Sequence, residues 1–252
     1  MTTPLSSFAP GLFAGQTVYV GGGTSGIGLA IAEAFARLGA AVIGAGSSAQ
    51  KVARLSDAPP VPGMRFAQLD VTDREAVAHA FDGIGRLDVL INAAGIARPD
   101  AEYQTDTFLK VMEVNLNSVM GLCTAARPLL AAQGGSIVNT ASMLSYLTDV
   151  AVPAYGASKA GVLGLTRHLA HAWAQDGIRV NAVTPGYIAT DMTTGLTGDA
   201  DLTARILHRC AIKRWGTPED IVGAAVFLAS PAAAYVTGTD IAIDGGFVSG
   251  GF

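Results

Sequence analysis

The chain has 252 residues, of which 50% are apolar and 14% are charged, and its formal net charge is −4. This composition is typical of one globular α/β domain with a sizeable core and excludes a disordered chain. With 16 basic and 20 acidic residues and no basic cluster, the sequence gives no support for a nucleic-acid partner.

Strand and helix patterns alternate along the whole chain. The strands are continuous apolar runs, which indicates a parallel sheet covered by helices on both faces. No linker or internal repeat interrupts the series, so residues 1–252 are predicted to form a single domain. The predicted strands are 17–20, 41–43, 64–69, 89–92, 136–140, 178–183 and 240–244, and the predicted helices are 26–38, 73–81, 105–130, 155–175 and 218–228.

Two segments depart from this alternation. The prolines in the segment 59–62 predict little helix in the connection after the second strand. The polar segment 193–212 is long enough to form a lid, although a structural loop fits it nearly as well. The apolar stretch 221–236 is interrupted by Ser230 and Pro231 and is predicted to be a buried helix followed by a turn.

The cellular compartment is predicted from the first residues and the cysteines. The N-terminus lacks the basic and apolar regions of a secretory signal. Cys123 and Cys210 form neither a metal-binding spacing nor a disulfide framework. We therefore expect a cytoplasmic protein with no membrane partner and no metal.

A glycine-rich segment, residues 21–28, joins the first strand to the first helix. Glycines at such a turn let the backbone approach a pyrophosphate closely, and the N–H groups at the start of the helix bind phosphate oxygens. The segment therefore predicts a dinucleotide site, with Gly22, Thr24, Ser25, Ile27 and Gly28 as cofactor-binding residues.

The end of the second strand bears on the choice of dinucleotide. An acidic residue commonly binds the ribose 2′-hydroxyl there, but this chain has Gly46, Ser47 and Ser48. Without a carboxylate to repel a 2′-phosphate, NADP(H) is favoured modestly, and NAD(H) stays open. Ser47 is the predicted cofactor contact.

A possible acid/base site follows from three residues. Tyr155 and Lys159 are one helical turn apart, so both side chains project from one helix face, and Ser142 precedes the tyrosine by thirteen residues. A nearby ammonium group lowers the pKa of a phenol, which would let Tyr155 exchange protons near neutral pH. The spacing alone also fits a half-buried ring beside a solvated amine.

Taken together, these segments resemble the short-chain dehydrogenase/reductase family over essentially the whole chain. The matching segments are 21–28, 92–95, 142–159, 185–190, 214–221 and 237–246. The chain departs from the family pattern at Gly21, where the family has threonine, and at Ala93, where it has asparagine. The resemblance implies a doubly wound Rossmann fold and hydride transfer between a nicotinamide and a carbonyl or secondary alcohol.

The resemblance also implies a role for individual residues. Tyr155 would be the acid/base, Lys159 would bind the nicotinamide ribose and lower the phenol pKa, and Ser142 would bind the reacting oxygen. Asn115 would hold a water that links Lys159 to solvent. Further cofactor contacts would be Asp70 and Val71 at the adenine, Asn92 and Gly95 after the fourth strand, and Pro185, Ile188 and Thr190 beside the nicotinamide.

The substrate is less well defined. A ketone or alcohol would meet Ser142 and Tyr155, with Leu144 and Tyr187 as further wall residues. Other candidates for the wall are Met143, Tyr146, Arg98 and the segment 193–212. Arg98 could meet an anionic substrate, and a solvated surface arginine fits it about as well.

Two other functions compete with this interpretation. One is a catalytically silent dinucleotide-binding regulatory or scaffold protein of the same fold, and the other is an epimerase or dehydratase with a bound cofactor. The resemblance further implies a homotetramer built through residues 105–130, 155–175 and 238–252. A partner would cover the apolar tail 246–252 in this assembly, and a flexible, partly exposed tail fits nearly as well.

Overall fold

The computed structural model describes residues 4–250 and contains one sheet flanked by helices. All strand pairs are parallel, in the order β3-β2-β1-β4-β5-β6-β7. The strands are β1 (Thr17–Gly21), β2 (Ala41–Gly46), β3 (Arg65–Gln68), β4 (Val89–Asn92), β5 (Ser136–Thr140), β6 (Arg179–Pro185) and β7 (Asp240–Ile243). This confirms the predicted doubly wound parallel sheet.

Within residues 4–250 the α-helices are α1 (Gly26–Arg37), α2 (Ala49–Asp57), α3 (Arg74–His79), α4 (Thr105–Met112), α5 (Ser118–Ala131), α6 (Pro153–Ala172), α7 (Thr194–Thr197), α8 (Ala200–Arg209) and α9 (Pro218–Ala229). None of these helices combines the length and apolar character needed to cross a bilayer. The stretch 221–236 forms most of α9 and a following 3-10 turn, as predicted.

Alternating side chains of the central strands fill two cores, one on each face of the sheet. Val18 and Val20 of β1 pack with Ile31 and Phe35 of α1 on one face, while Tyr19 packs with Leu122 of α5 on the other. Because successive side chains in a strand point to opposite faces, both faces of β1 have to be apolar. This double burial explains the unbroken apolar runs in the sequence.

Two local features differ from the sequence prediction. Residues 49–57 do form a helix, α2, because the Ser48 hydroxyl caps it by accepting from Lys51 N at 3.3 Å, and it ends before Pro59. The single helix predicted for 105–130 is divided into α4 and α5 by a π-helical turn, Glu113–Asn117. A π turn inserts one extra residue into a helix and is frequent at functional sites.

Candidate active site

The carboxyl ends of the parallel strands meet at one edge of the sheet, on either side of the point where the strand order reverses between β1 and β4. Ligands of doubly wound sheets bind at this point. A cleft of about 410 Å³ opens there. Its lining includes the predicted residues Gly22, Thr24, Ser25, Ile27, Gly28, Ser47, Asp70, Val71, Gly95, Ser142, Tyr155, Lys159, Pro185, Ile188 and Thr190.

The glycine turn after β1 fits a pyrophosphate. Gly22 has φ of +83°, a conformation that side-chain-bearing residues rarely adopt, and a Cβ added at Gly28 would overlap the Gly22 carbonyl oxygen. Ser25, the N-cap residue of α1, makes no side-chain capping bond. The first N–H groups of a 12-residue helix are therefore left for an external acceptor, which is what a phosphate requires.

At the end of β2, the residues facing the cleft carry no negative charge. Gly46 lies so close to Thr24 that an added Cβ would overlap the threonine hydroxyl, and Ser47 lines the cleft. Across the opening, Lys51 of α2 pairs with Asp191 at 3.3 Å, and both side chains are well exposed. This end of the cleft is therefore compatible with a 2′-phosphate, because no carboxylate stands at the end of β2.

The loop after β3 provides the hydrogen-bond partners of the Asp70 side chain. Its Oδ1 accepts from Thr72 N at 2.9 Å and from Thr72 Oγ1 at 2.8 Å. These hydrogen bonds lower the pKa of Asp70 below its ordinary value. The side chain is therefore an ionised acceptor at the mouth of the cleft.

Tyr155 and Lys159 lie one turn apart on α6, as predicted. The Lys159 Nζ lies 5.7 Å from the centre of the Tyr155 ring and donates to the Thr140 carbonyl at the end of β5 at 2.7 Å. Lys159 is 4% exposed, and burial lowers its pKa to about 8. An ammonium group at this depth exchanges its proton much more readily than an ordinary lysine.

The pKa of Tyr155 differs from the sequence-based expectation. It is raised rather than lowered, chiefly by burial, while hydrogen bonding with Ser142 acts in the opposite direction and the charge of Glu102 raises it further. The expectation considered the distance to Lys159 and left out desolvation, which disfavours the phenolate. Desolvation, and not the spacing to Lys159, sets the direction of the shift.

Asn115 lies in the π turn and is fully buried. Its Oδ1 accepts from Ile96 N at 2.8 Å, and its Nδ2 donates to Ile96 O at 2.9 Å and to Ser158 Oγ at 3.1 Å. The side chain thus joins the segment after β4 to α6. It does not line the cleft directly, and its predicted role in holding a water stays a prediction.

Three other predicted site residues do not line the cleft directly. Asn92 is buried in the sheet, where its Nδ2 donates to Asn139 Oδ1 at 2.9 Å, and its predicted contact with the cofactor stays a prediction. Leu144 and Tyr187 instead join an apolar cluster beside the cleft, in which Tyr187 stacks edge-on against Trp215. The sequence prediction followed motif positions and could not show side-chain directions.

The segment 193–212 and the C-terminal tail meet in this same cluster. Ile206 of α8 packs with Met143 and Phe247, and Arg209 lies 4.6 Å from the centre of the Phe247 ring. Phe247 is therefore covered by its own chain, so its burial does not depend on the partner subunit expected from the sequence. The end of that tail, residues 251–252, lies outside the described residues.

Sequence reasoning missed three charged residues around the cleft. Lys110 and Asp191 line it, and Glu102 is completely buried beneath it. No motif or spacing marks any of them. Their positions depend on how the loops after β4 and β6 fold. Within residues 4–250, no cluster of His, Cys, Asp or Glu is arranged to hold a metal ion.

Known proteins resemble this chain over nearly its full length. A family model described as enoyl-(acyl carrier protein) reductase matches residues 21–248. The 2-dehydro-3-deoxy-D-gluconate 5-dehydrogenase of Bacillus subtilis is 41% identical over 93% of this chain and 95% of its own length. The cis-4-hydroxycyclohexanecarboxylate dehydrogenase of Sinomonas cyclohexanicum is 41% identical over 94% of this chain and 98% of its own.

Solved structures agree in fold. The gluconate 5-dehydrogenase of Burkholderia cenocepacia, solved with NADP and tartrate, has a TM-score of 0.86 at 32% identity and covers 94% of this chain and 97% of its own. These relatives are dehydrogenases, which does not favour a catalytically silent protein. The matched family model, the curated relatives and the phosphate-binding turn beside Tyr155 and Lys159 agree: the chain belongs to the short-chain dehydrogenase/reductase family and is an NAD(P)-dependent oxidoreductase that acts on CH–OH groups.

Proposed function

We propose that this enzyme interconverts a secondary alcohol and a ketone in substrates that also carry a carboxylate, such as sugar acids and cyclic hydroxy acids. The observation that carries the proposal is Arg98, a cation in the same cleft as Ser142 and Tyr155. Its Nη1 donates to the adjacent Ala97 carbonyl at 3.0 Å, and no carboxylate among residues 4–250 pairs with the guanidinium. A cleft arginine without an acidic partner is suited to bind an anion through two parallel hydrogen bonds.

The names of the relatives support this substrate class. The Bacillus and Sinomonas dehydrogenases are named for acids that carry a carboxylate, and the Burkholderia enzyme was solved with tartrate, a hydroxy acid. A cleft that takes such substrates calls for a cationic hydrogen-bond donor to the carboxylate, and Arg98 is our candidate in this chain.

In the proposed mechanism, the protein holds the reacting oxygen and moves its proton. Ser142 binds that oxygen, and Tyr155 accepts the hydroxyl proton during oxidation or returns it during reduction. The bound nicotinamide supplies a hydride acceptor in oxidation and a hydride donor in reduction. Lys159, with a pKa of about 8, favours the phenolate when it is protonated and binds the ribose hydroxyls. Asn115 holds the segment after β4 against α6.

NADP(H) is the cofactor that we expect to be preferred. The absence of a carboxylate at the end of β2 supports it, and the Burkholderia structure carries NADP. Ser47 would meet the 2′-phosphate, with Lys51 released from Asp191 as a second donor. Comparing kcat/KM for NADP⁺ and NAD⁺ tests this preference, and a preference for NAD⁺ would contradict it.

The substrate class is tested with matched substrates and an arginine variant. We expect the wild type to turn over gluconate-type and cyclic hydroxy acids with a lower KM than neutral polyols such as galactitol. In Arg98→Gln, the KM for the acids should rise about 10- to 100-fold, since a charge-assisted hydrogen-bonded pair contributes about 1.5–3 kcal/mol, while the KM for neutral alcohols changes little. Arg54→Gln, on the exposed face of α2, is the control. An equal loss for acids and neutral alcohols would contradict the role of Arg98.

We also propose a homotetramer in the cytoplasm. Leu109 and Met120, on α4 and α5, are 58% and 42% exposed, and a partner subunit would cover these large apolar side chains. Both cysteines are free and buried, which fits a reducing compartment. Sedimentation at micromolar concentration tests the assembly, and a monomer there would contradict it.

A further inference from the structure

Glu102 is a buried carboxylate with two main-chain partners. It is 0% exposed and lies in the loop between β4 and α4. Its Oε1 accepts from Arg98 N at 2.9 Å and its Oε2 from Tyr155 N at 2.8 Å. One side chain therefore bonds to the backbone of both the proposed carboxylate-binding arginine and the catalytic tyrosine. Acidic side chains are almost never fully buried without such partners.

On the tyrosine side, Glu102 serves as the cap of the catalytic helix. Helix α6 begins at Pro153, and Val152 at the N-cap position offers no side-chain acceptor. The N–H of Tyr155 belongs to the first turn, which has no acceptor within the helix. Glu102 supplies that acceptor from 53 residues earlier in the chain, and its negative charge is favourable at the positive end of the helix dipole.

Further contacts fasten the same loop to the segment before α6. Asp100 N donates to Ala151 O at 2.8 Å, and the Tyr103 hydroxyl donates to Val150 O at 3.0 Å. Asp100 has φ of +63°, an unfavourable conformation for a residue with a side chain. The surrounding contacts must therefore hold the loop in place, and Glu102 is the member of this set that reaches Tyr155.

We propose that Glu102 is a positioning residue that holds the Arg98 loop and the first turn of α6 in one fixed relation, so that substrate carboxylate and catalytic phenol are set at a constant distance. Glu102 does not touch the substrate. The Arg98 part of this proposal rests on the proposed function, whereas the Tyr155 part depends only on the hydrogen bond to the helix.

A second consequence concerns charge. The groups that act on the phenol are Lys159 on α6 itself, Ser142 after β5 and Glu102 after β4. The other charged side chains lining the cleft are Arg98, Lys110, Asp70 and Asp191. The charge of Glu102 raises the pKa of Tyr155, so its removal should lower that pKa. Removal of an uncharged brace would have no such effect.

The test compares Glu102→Gln with Glu102→Asp. Glutamine keeps the size of the side chain but has one acceptor oxygen and no charge, so one main-chain N–H loses its bond. Aspartate keeps the charge but is one methylene shorter. For Glu102→Gln we expect kcat/KM for hydroxy acids to fall about tenfold, as the loss of one hydrogen bond implies, and the limb of the pH profile governed by Tyr155 to move to lower pH. For Glu102→Asp we expect a similar loss of kcat/KM with that limb at its wild-type position.

Asp106→Asn is the matched control, because it removes an exposed carboxylate in the first turn of α4 and should change neither quantity. A readout without substrate keeps the two proposals separate. With ¹³Cζ-labelled tyrosine, the NMR signal that disappears in Tyr155→Phe reports the phenol pKa directly, and this pKa should be lower in Glu102→Gln than in the wild type.

The failure of the proposed substrate class and the failure of the Glu102 proposal give different results. If the wild type turns over no hydroxy acid, the proposed substrate class is wrong, and the NMR titration still tests whether Glu102 acts on Tyr155. If Glu102→Gln keeps wild-type kcat/KM and the Tyr155 signal titrates at the wild-type pH, Glu102 is not a positioning residue. A loss of thermal stability with both of those quantities unchanged would reduce Glu102 to a structural cap and overturn the proposal.

Discussion

Replacing Lys159 by methionine should change how the stability of the protein depends on pH. Burial lowers the pKa of Lys159 to about 8, whereas a lysine in an unfolded chain has a pKa near 10.4. Between these two values the unfolded chain binds one more proton than the folded protein. The contribution of Lys159 to the free energy of unfolding therefore rises as the pH rises through this window, and the same amount is lost when the pH is lowered back to about 8.

The expected size follows from the same numbers. One proton of difference gives a slope of about 1.4 kcal/mol per pH unit, so the full window corresponds to about 3 kcal/mol. Relative to Lys159→Met, the free energy of unfolding of the wild type should increase by about 2 kcal/mol between pH 8 and pH 9.5. Other buried groups, such as Cys123 with a pKa raised to about 12, titrate alike in both proteins and cancel in the difference.

The assay is urea denaturation of both proteins at a series of pH values and one protein concentration. Lys213→Met is the matched control, since Lys213 also donates to a main-chain carbonyl, that of His208, but is exposed. Its curve should run parallel to that of the wild type. If the Lys159→Met curve is also parallel to the wild type between pH 8 and 9.5, the buried ammonium does not have the lowered pKa.

Two further predictions concern turnover and cofactor binding. Tyr155→Phe should lower kcat at least 100-fold and leave the Kd for NADPH within about twofold, since general acid/base catalysis contributes about 10²–10⁴-fold; wild-type-like turnover would refute the role of the phenol. Gly28→Ala should raise the Kd for NADPH at least tenfold, because the added methyl group displaces the Gly22 carbonyl. The control is Gly164→Ala, where an added Cβ meets nothing within 4 Å and the Kd should not change. Equal affinities of the two variants in fluorescence titration would show that the turn tolerates the methyl group.

The sequence predicted the sheet and the edge where the site lies because both depend on local patterns. The apolar runs of strands such as Val89–Asn92 reflect burial on both faces, and a glycine turn between the first strand and the first helix is typical of a dinucleotide site. Strand order follows from neither pattern. The site could be located because parallel strands place all of their carboxyl ends at one edge, whatever their order.

Other features depend on contacts between residues distant in the chain. Glu102 matches no motif, and its partner Tyr155 N is 53 residues away. The sequence around the π turn at Asn115 contains neither proline nor glycine, so it predicted one continuous helix there. The direction of the Tyr155 pKa shift depends on desolvation, which the four-residue spacing to Lys159 does not reveal.

The case of Asn92 shows how a motif residue can serve the site through buried hydrogen bonds. Its Nδ2 donates to Asn139 Oδ1 at 2.9 Å, and Asn139 Nδ2 donates to Thr166 Oγ1 at 2.9 Å. This buried chain of hydrogen bonds links β4 and β5 to α6, the helix that carries Tyr155 and Lys159. Buried polar networks of this kind restrict how elements slide against each other, because a shift would leave donors without acceptors. Asn92 and Glu102 therefore act on the same helix from two sides: one fixes its middle against the strand ends, and the other fixes its first turn.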